Sequence, residues 1–209
     1  MIKITRSAKP AVLIDKEADW IVALHTASTK REKERASNKY RHPQVQEALK
    51  VMFHGKCGYC ESRIEHMSDP HIEHYRPKSR FPELTFDWNN LLLACGKCNS
   101  IQYKGDKFPE ANVWGPIVNP CIDNPDDHFS FVYDVQARLA NVVATTGRGK
   151  TTEELIGLNR SDLRHHRSVQ ITRLMALARF ADTDTTAQQL LLEAKQNDAE
   201  YTAFARNIY

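Results

Sequence analysis

Two pairs of cysteines, each with two residues between its sulfurs, constrain this chain more than any other feature. They are Cys57 with Cys60, and Cys95 with Cys98. Such a turn lets two thiolates point at one ion, and Zn²⁺ accepts four of these ligands tetrahedrally. Gly58 and Gly96 occupy matching places in the two pairs, where small residues ease a tight turn. Four thiolates leave no open position for a substrate, so the pattern predicts a structural zinc that holds the fold.

Other interpretations of the cysteines are a redox C-x-x-C motif or four unrelated buried thiols. A redox motif needs only one pair, and it leaves the second pair unexplained. The fifth cysteine, Cys121, stands alone and is predicted to be a small, partly buried hydrophobic residue. Because the count is odd, a disulfide framework fits the chain poorly.

Composition and charge allow a soluble protein with a polyanionic partner but do not demand one. Hydrophobic residues make up 41% of the chain and charged residues 26%, which is ordinary for a globular protein. The net charge of +3 is too small to identify the partner. The chain contains no run of 18 apolar residues, the length that would predict a membrane span. Residues 1–6 lack the apolar core of a signal peptide. We therefore expect a cytoplasmic protein.

Helical periodicity flanks the cysteine-rich centre on both sides. On the amino-terminal side, apolar residues recur at helical spacing over residues 16–40 and 43–53, the second beginning with a proline. On the carboxyl-terminal side, the chain is helical again from Thr151, with amphipathic stretches over residues 159–180 and 185–204.

The centre and a later hairpin complete the expected α+β architecture. Residues 129–143 look like a hairpin that turns near residues 135–137. We expect an N-terminal helical region (1–55), a cysteine- and histidine-rich core (56–110) and a C-terminal hairpin and helical region (111–209), together forming one compact unit.

The 34 residues between Cys60 and Cys95 (61–94) carry a second pattern, which interlocks with the cysteines. The pattern consists of Glu73-His74 and Asn90-Leu91 in this insert and Asn99 directly after the last cysteine of the second pair. This order resembles the HNH endonuclease family. The resemblance implies a ββα-metal fold, in which a hairpin packs on a short helix with one divalent ion between them. The first cysteine pair then precedes the hairpin and the second opens the helix, so the zinc would staple both ends of the motif.

The resemblance implies a role for each polar residue in phosphodiester hydrolysis. His74 corresponds to the general base, and a carbonyl bonding its Nδ1–H would leave Nε2 free for the proton. Glu73 and Asn99 correspond to ligands of a Mg²⁺ or Mn²⁺ ion that stabilises the phosphate and the departing oxygen. Asn90, with Asn89 as an alternative, corresponds to the asparagine that holds the loop between the strands and orients the histidine.

Some details of the motif bear on the metal. The family often has Asp in place of Glu73 and His in place of Asn99, and the changes favour Mg²⁺ or Mn²⁺ over softer metals. Neighbours on a strand point to opposite faces, so Glu73 and His74 can serve one site only if the strand bends or ends there, as nearby Pro77 allows. His71 is a further candidate ligand, although a surface or supporting role is favoured.

Basic residues near the motif are candidates for phosphate contacts. They are Arg76, Lys78 and Lys104. A solvated positive face explains the same residues equally well. The remaining histidines form no constellation, and ordinary surface or packing roles are expected for them.

Sequence outside the motif narrows the resemblance. The supporting segments are residues 1–4, Phe81-Pro82-Glu83-Leu84, Asp87-Trp88, residues 104–109, Asn119-Pro120, Asp123-Asn124-Pro125 and Gly157-Leu158-Asn159-Arg160 with Leu163 and Arg167. Together they are similar to the HNH subunit that accompanies an ATPase in Septu-type and retron-linked anti-phage systems. The resemblance implies that an ABC- or SMC-like ATPase senses the trigger and this chain cuts nucleic acid. The amphipathic helices after Thr151 are then candidate docking surfaces, although such helices more often face the core.

The main rival is a zinc-stapled adaptor that binds nucleic acid or protein without catalysis. It explains the four cysteines and the basic residues, but it does not need Glu73, His74 and Asn99 to converge on one ion. The choice between DNA and RNA stays open, because the contacts that read sequence lie in surrounding loops.

Overall fold

The computed structural model describes residues 1–64, 70–109 and 115–208. The helices are α1 (Ala11–Thr26), α2 (Lys30–Ser37), α3 (Pro43–Met52), α4 (Gly147–Ile156), α5 (Ser161–Ala178), α6 (Thr185–Ala194) and α7 (Thr202–Ile208). The strands are β1 (His71–His74), β2 (Leu91–Ala94), β3 (Phe129–Asp134) and β4 (Leu139–Ala144). They form two antiparallel hairpins, β1 with β2 and β3 with β4, so the α+β expectation is confirmed.

The amino-terminal helices differ from the sequence prediction in their bounds, since α1 begins at Ala11, and in their number. The single helix expected over residues 16–40 is divided, because a new helix begins at Thr29. The Thr29 hydroxyl accepts the Glu32 amide at 3.2 Å, and the Glu32 carboxylate accepts the Thr29 amide at 3.0 Å, which forms a capping box. The helix predicted from Pro43 is confirmed as α3, with proline in its first turn.

The carboxyl-terminal region contains the predicted second hairpin. Phe129 pairs with Ala144 and Asp134 with Leu139, so the turn falls where the sequence placed it. The helical stretch expected over residues 185–204 is two helices, α6 and α7, and α4 begins at Gly147, before the expected start.

Strand β2 lies at the centre of the hydrophobic core. All four of its residues are buried, and one cluster of buried side chains joins them to the amino-terminal segment, α3 and α7. The extended amino terminus lies along the start of this strand, since Arg6 donates to the carbonyls of Trp88 and Leu91 at 2.9 and 2.7 Å. The candidate site is therefore built on a hairpin whose buried strand, β2, packs against α3.

The segment after β2 differs from the helix implied by the resemblance. Residues 95–106 form a series of turns, and the Asn99 amide donates to the Cys95 carbonyl at 3.1 Å to close one helical turn. None of the helices in the described ranges has the length and apolar character needed to cross a bilayer.

Candidate functional site

The four paired cysteines meet in one cluster, as their spacing predicts. Their sulfur atoms all lie within 4.8 Å of one another, and those of Cys60 and Cys95 are 3.9 Å apart. Four ligands about 2.3 Å from a tetrahedral Zn²⁺ have sulfurs about 3.8 Å apart. Donor set and spacing therefore fit a zinc ion. Among the described residues, no other cluster of three or more His, Cys, Asp or Glu side chains has this geometry.

An arginine from a distant segment neutralises part of the cluster's charge. Nη1 of Arg160 lies 3.5 Å from the Cys98 sulfur, and its guanidinium stacks over the Tyr103 ring. Burial alone would lower the pKa of Arg160, but the cysteine sulfurs, Cys98 foremost, hold this pKa above its ordinary value. The segment Gly157–Arg160, singled out in the sequence, thus contacts the cysteine cluster.

The first hairpin places Glu73 and His74 on opposite faces. Glu73 pairs with Leu92 and His74 with Leu91, and β1 ends at His74. Side chains alternate along a strand, so His71 shares a face with Glu73, whereas His74 shares the other with Ile72. The strand ends at His74, as expected, but within β1 the side chains of Glu73 and His74 point to opposite faces.

The carboxylate of Glu73 lies in the interior, where it forms an ion pair with Lys104. The Tyr59 hydroxyl, from the first cysteine pair, lies 3.4 Å from the same oxygen. Burial raises the pKa of Glu73 to about 7, and Lys104 limits the rise. The cysteine cluster and the carboxylate are therefore adjacent parts of one structure.

Lys104 does not fit the phosphate contact expected of it. Its side chain is 0% exposed, and its ammonium also donates to the His74 backbone carbonyl at 2.8 Å. A buried ammonium with two such partners cannot reach a phosphate without leaving them. Spacing along the sequence does not show which lysines point inward, so the burial of Lys104 could not be read from it.

The imidazole of His74 contacts a backbone carbonyl, as expected. The contact is made by Nε2, whereas the resemblance implied Nδ1. Nε2 lies 2.9 Å from the Thr85 carbonyl oxygen, which leaves Nδ1 as the nitrogen that can accept a proton. Burial lowers the pKa of His74 to about 4; the Thr85 carbonyl opposes this, and Lys78, Lys104 and Arg41 add to it. At neutral pH the ring is therefore uncharged and in its proton-accepting form.

Asn90 bridges the loop that follows His74. Its amide oxygen accepts the Arg76 amide at 2.8 Å, and its amide nitrogen donates to the carbonyls of Arg76 and Leu84 at 3.0 and 3.1 Å. The neighbouring Asn89 is exposed. Asn90 thus ties both ends of the loop to the start of β2.

Asn99 lies beside His71 at the edge of a cleft. Its amide nitrogen is 3.5 Å from Nδ1 of His71. The cleft has a volume of about 270 Å³ and is lined by Tyr40, Arg41, Gln46, Pro70, His71, Ile72 and Asn99. The structure thus brings Asn99 to His71, whereas the partners of the Glu73 carboxylate within the described residues are Lys104 and Tyr59.

The cleft includes residues that no sequence motif singles out. The ring of Tyr40 meets the His74 ring edge-on, with centroids 4.6 Å apart, and Arg41 follows it in the cleft wall. Lys78 places its ammonium 4.8 Å from the centre of the Tyr40 ring. Since Tyr40 precedes the motif by more than thirty residues, no local spacing connects it to His74.

Comparison with known proteins identifies the central region. Residues 57–105 match the model of the HNH endonuclease family. The chain carries an HNH domain. This domain spans both cysteine pairs, Glu73, His74, Asn90 and Asn99, and the predicted resemblance to the HNH family is confirmed.

The similarity to Septu proteins extends beyond the HNH domain. The chain is 29% identical to the Septu protein PtuB of Bacillus mycoides (strain KBAB4), over 96% of this chain and 77% of that protein. It is 31% identical to PtuB of Bacillus thuringiensis, over 78% of this chain but only 56% of that protein. The chain is also 26% identical to the Septu protein PtuA of Bacillus mycoides (strain KBAB4), over 57% of this chain and 20% of that protein. The resemblance to the HNH subunit of Septu-type systems is therefore confirmed over most of the chain.

The HNH domain offers donors for a second, exchangeable ion. Glu73 offers a carboxylate and His71 an imidazole, both from one face of β1. Asn99, in the turn after β2, adds an amide beside His71. Oxygen donors suit Mg²⁺ and Mn²⁺, and an imidazole is compatible with Mn²⁺. The donor types fit a divalent ion, although the charge of the carboxylate is already balanced by Lys104.

Proposed function

We propose that this chain is a metal-dependent endonuclease that hydrolyses phosphodiester bonds of nucleic acid. The observation that carries the proposal is the imidazole of His74, held through Nε2 by the Thr85 carbonyl at the end of β1 inside an HNH domain. An imidazole fixed through one nitrogen and unprotonated at the other is suited to remove a proton from water.

His74 is the general base in this proposal. With Nε2–H donating to the Thr85 carbonyl, Nδ1 takes the proton from the attacking water. Asn90 holds the loop after His74 and thereby fixes the direction of the ring. A pKa near 4 makes the imidazole a weak base, but it keeps almost every molecule in the accepting form at neutral pH.

Glu73 and Asn99 would hold the Mg²⁺ or Mn²⁺ ion, which when bound supplies positive charge to the phosphate and the departing oxygen. Arg76 is exposed, and its guanidinium stacks on the rings of Phe81 and Phe108. Together with Lys78 it is suited to contact neighbouring phosphates. The four cysteines hold a structural zinc, because a site of four thiolates has no position left for substrate.

We further propose that the nuclease is the effector of a cytoplasmic anti-phage system and works with an ABC- or SMC-like ATPase. The similarity to two PtuB proteins supports a Septu-type role. The shorter match to PtuA links the same sequence to a second Septu protein. Co-purification of the chain with the product of its neighbouring gene tests the partnership.

A cleavage assay tests the catalytic proposal. Supercoiled plasmid and a matched RNA are incubated with the zinc-loaded chain, with and without the partner, in Mg²⁺ or Mn²⁺. We expect His74→Ala to lower the cleavage rate by about 10²-fold or more, as loss of a general base does. His25→Ala, at an exposed position on α1, is the matched control. A zinc-loaded His74→Ala protein that cuts as fast as wild type would overturn the assignment of the base.

A further inference from the structure

His71 lies at the edge of the cleft, on the face of β1 that also carries Glu73, and its ring contacts Asn99. We propose that His71 is a protein ligand of the exchangeable divalent ion, beside Asn99 in the cleft. This assignment rests on the proposed function, because it concerns the ion that the nuclease uses. It gives a nitrogen donor to the ion, whereas a surface or supporting role was favoured for His71 from the sequence.

The position of the ring is set by the turn after β2. Nδ1 of His71 lies 3.5 Å from the Asn99 amide nitrogen, and a Cβ at Gly96 would lie 3.5 Å from Nε2 of the same ring. The imidazole therefore lies across Gly96 and beside Asn99, two residues in or next to the second cysteine pair. The cluster of four cysteines fixes that turn, so it also fixes the separation of the two donors.

Exposure distinguishes His71 from the other candidates on the same side. Its side chain is exposed and Asn99 is partly exposed, so an ion can reach both from the cleft. Glu73 is 3% exposed and ion-paired with Lys104, so its carboxylate is a poor anchor by itself. An ion in the cleft needs donors that solvent can reach, and His71 and Asn99, which contact each other there, can supply a nitrogen and an oxygen.

The surrounding charge makes a neutral donor appropriate. Arg41 is exposed and also lines the cleft, where its charge attracts a phosphate and repels a bare cation. A strong nitrogen donor offsets part of that repulsion. Imidazole binds first-row transition ions better than it binds Mg²⁺, which prefers oxygen. We therefore expect the site to bind Mn²⁺ more tightly than Mg²⁺.

The test measures Mn²⁺ binding rather than cleavage. The zinc-loaded full chain is titrated with Mn²⁺, and free Mn²⁺ is followed by electron paramagnetic resonance in wild type, His71→Ala, His71→Asp and the control His25→Ala. We expect His71→Ala to weaken Mn²⁺ binding at least about tenfold, since even partners of metal ligands have effects of this size. His25→Ala is expected to bind as wild type does.

The aspartate variant separates a ligand from a structural residue. His71→Asp keeps a donor but exchanges nitrogen for oxygen, so Mn²⁺ binding is retained and Mg²⁺ competes more effectively than in wild type. A residue that only packs would not change this competition. The proposal is overturned if wild type binds no Mn²⁺, if His71→Ala binds it normally, or if the competition in His71→Asp is unchanged.

The outcomes also separate this inference from the nuclease itself. Normal Mn²⁺ binding by His71→Ala, with cleavage that depends on His74, removes His71 from the site and leaves the nuclease proposal standing. Loss of Mn²⁺ binding in His71→Ala, with no cleavage by the wild-type chain and its partner on DNA or RNA, supports the metal site and removes the nuclease.

Discussion

The ammonium of Lys104 lies against the carboxylate of Glu73 in the interior, with the two side chains 0% and 3% exposed. The same ammonium donates to the His74 carbonyl at 2.8 Å. One side chain thus fixes both residues of the Glu-His pair, and it does so from the turn that follows the second cysteine pair. Lys104 acts on the site through position and charge rather than by contact with a phosphate.

Replacing Lys104 by methionine should destabilise the protein by about 3 kcal/mol, because the buried Glu73 loses its charge partner and must either stay charged alone or take up a proton. Urea unfolding of the zinc-loaded protein at pH 8 measures the effect. Adding Glu73→Gln to Lys104→Met should recover a large part of the loss, since the uncompensated charge is then gone. If Lys104→Met is as stable as wild type, the ion pair does not hold this region together.

The two matching glycines of the cysteine pairs should respond differently to alanine. A Cβ at Gly58 would lie 2.6 Å from Cε1 of Phe53, whereas one at Gly96 would meet only the His71 ring at 3.5 Å. Phe53 is 1% exposed and has little room to move. Gly58→Ala should therefore cost about 1–3 kcal/mol, as overpacking does, and Gly96→Ala much less. Thermal unfolding of the two zinc-loaded variants compares them, and equal costs would contradict the packing argument.

These glycines illustrate what the sequence could predict. The repeated C-x-x-C spacing predicted the cysteine cluster. Two such pairs in one chain are typical of a structural zinc site. The glycines were attributed to tight turns, yet Gly58 and Gly96 are not among the positive-φ glycines, and what distinguishes them is packing. Packing distances depend on Phe53 and His71, whose positions follow from the whole fold.

Among the catalytic candidates, too, local features could be predicted from the sequence, whereas features that depend on tertiary packing could not. Asn90 was predicted from its match to the asparagine of the HNH motif, and its bonds are local, reaching back only to Arg76 and Leu84. The inward direction of Lys104 and the approach of Tyr40 to His74 depend on tertiary packing between distant segments. The break at Thr29 is different: its capping box with Glu32 was readable in the sequence and was overlooked.

Asn90→Ala should loosen the loop after His74. The substitution removes the acceptor of the Arg76 amide and the donor to two carbonyls, each within 3.1 Å. Buried groups left without partners cost about 1–3 kcal/mol each at most, so we expect a total loss of about 2–4 kcal/mol. Hydrogen exchange should rise over residues 76–84 and stay unchanged in the β3–β4 hairpin. Asn89→Ala, at the exposed neighbour, is the control and should leave exchange as in wild type.

The ion pair of Asp123 with Arg148 should make stability depend on pH. Two nitrogens of Arg148 lie 2.9 and 2.6 Å from the carboxylate, which also accepts the Asn119 amide at 2.8 Å. Burial works to raise the pKa of Asp123, but the hydrogen bonds from Arg148 and Asn119 outweigh it and lower this pKa.

A carboxyl with a lowered folded-state pKa contributes stability that is full above its unfolded value of about 3.9 and is lost as pH falls through the folded value. Wild type should therefore be more stable than Asp123→Asn at pH 7, and the difference should shrink below about pH 4. Denaturant unfolding of both proteins across this range measures it. A difference that stays constant down to pH 3 would show that the charge of Asp123 is not its source.

Zinc removal should unfold the region that carries the candidate site. Cys57 and Cys98 are buried in the cluster, and the first pair joins β2 through the Gly58 amide, which donates to the Leu93 carbonyl at 2.9 Å. Because a structural zinc contributes its binding energy to folding, Cys57→Ser should lower both zinc content and melting temperature. Cys121→Ser changes a thiol outside the cluster and should keep one zinc per chain. Metal analysis and thermal unfolding of the two variants, with and without chelator, make the comparison. A native melting profile after complete removal of zinc would show that the fold of the HNH domain does not depend on the metal.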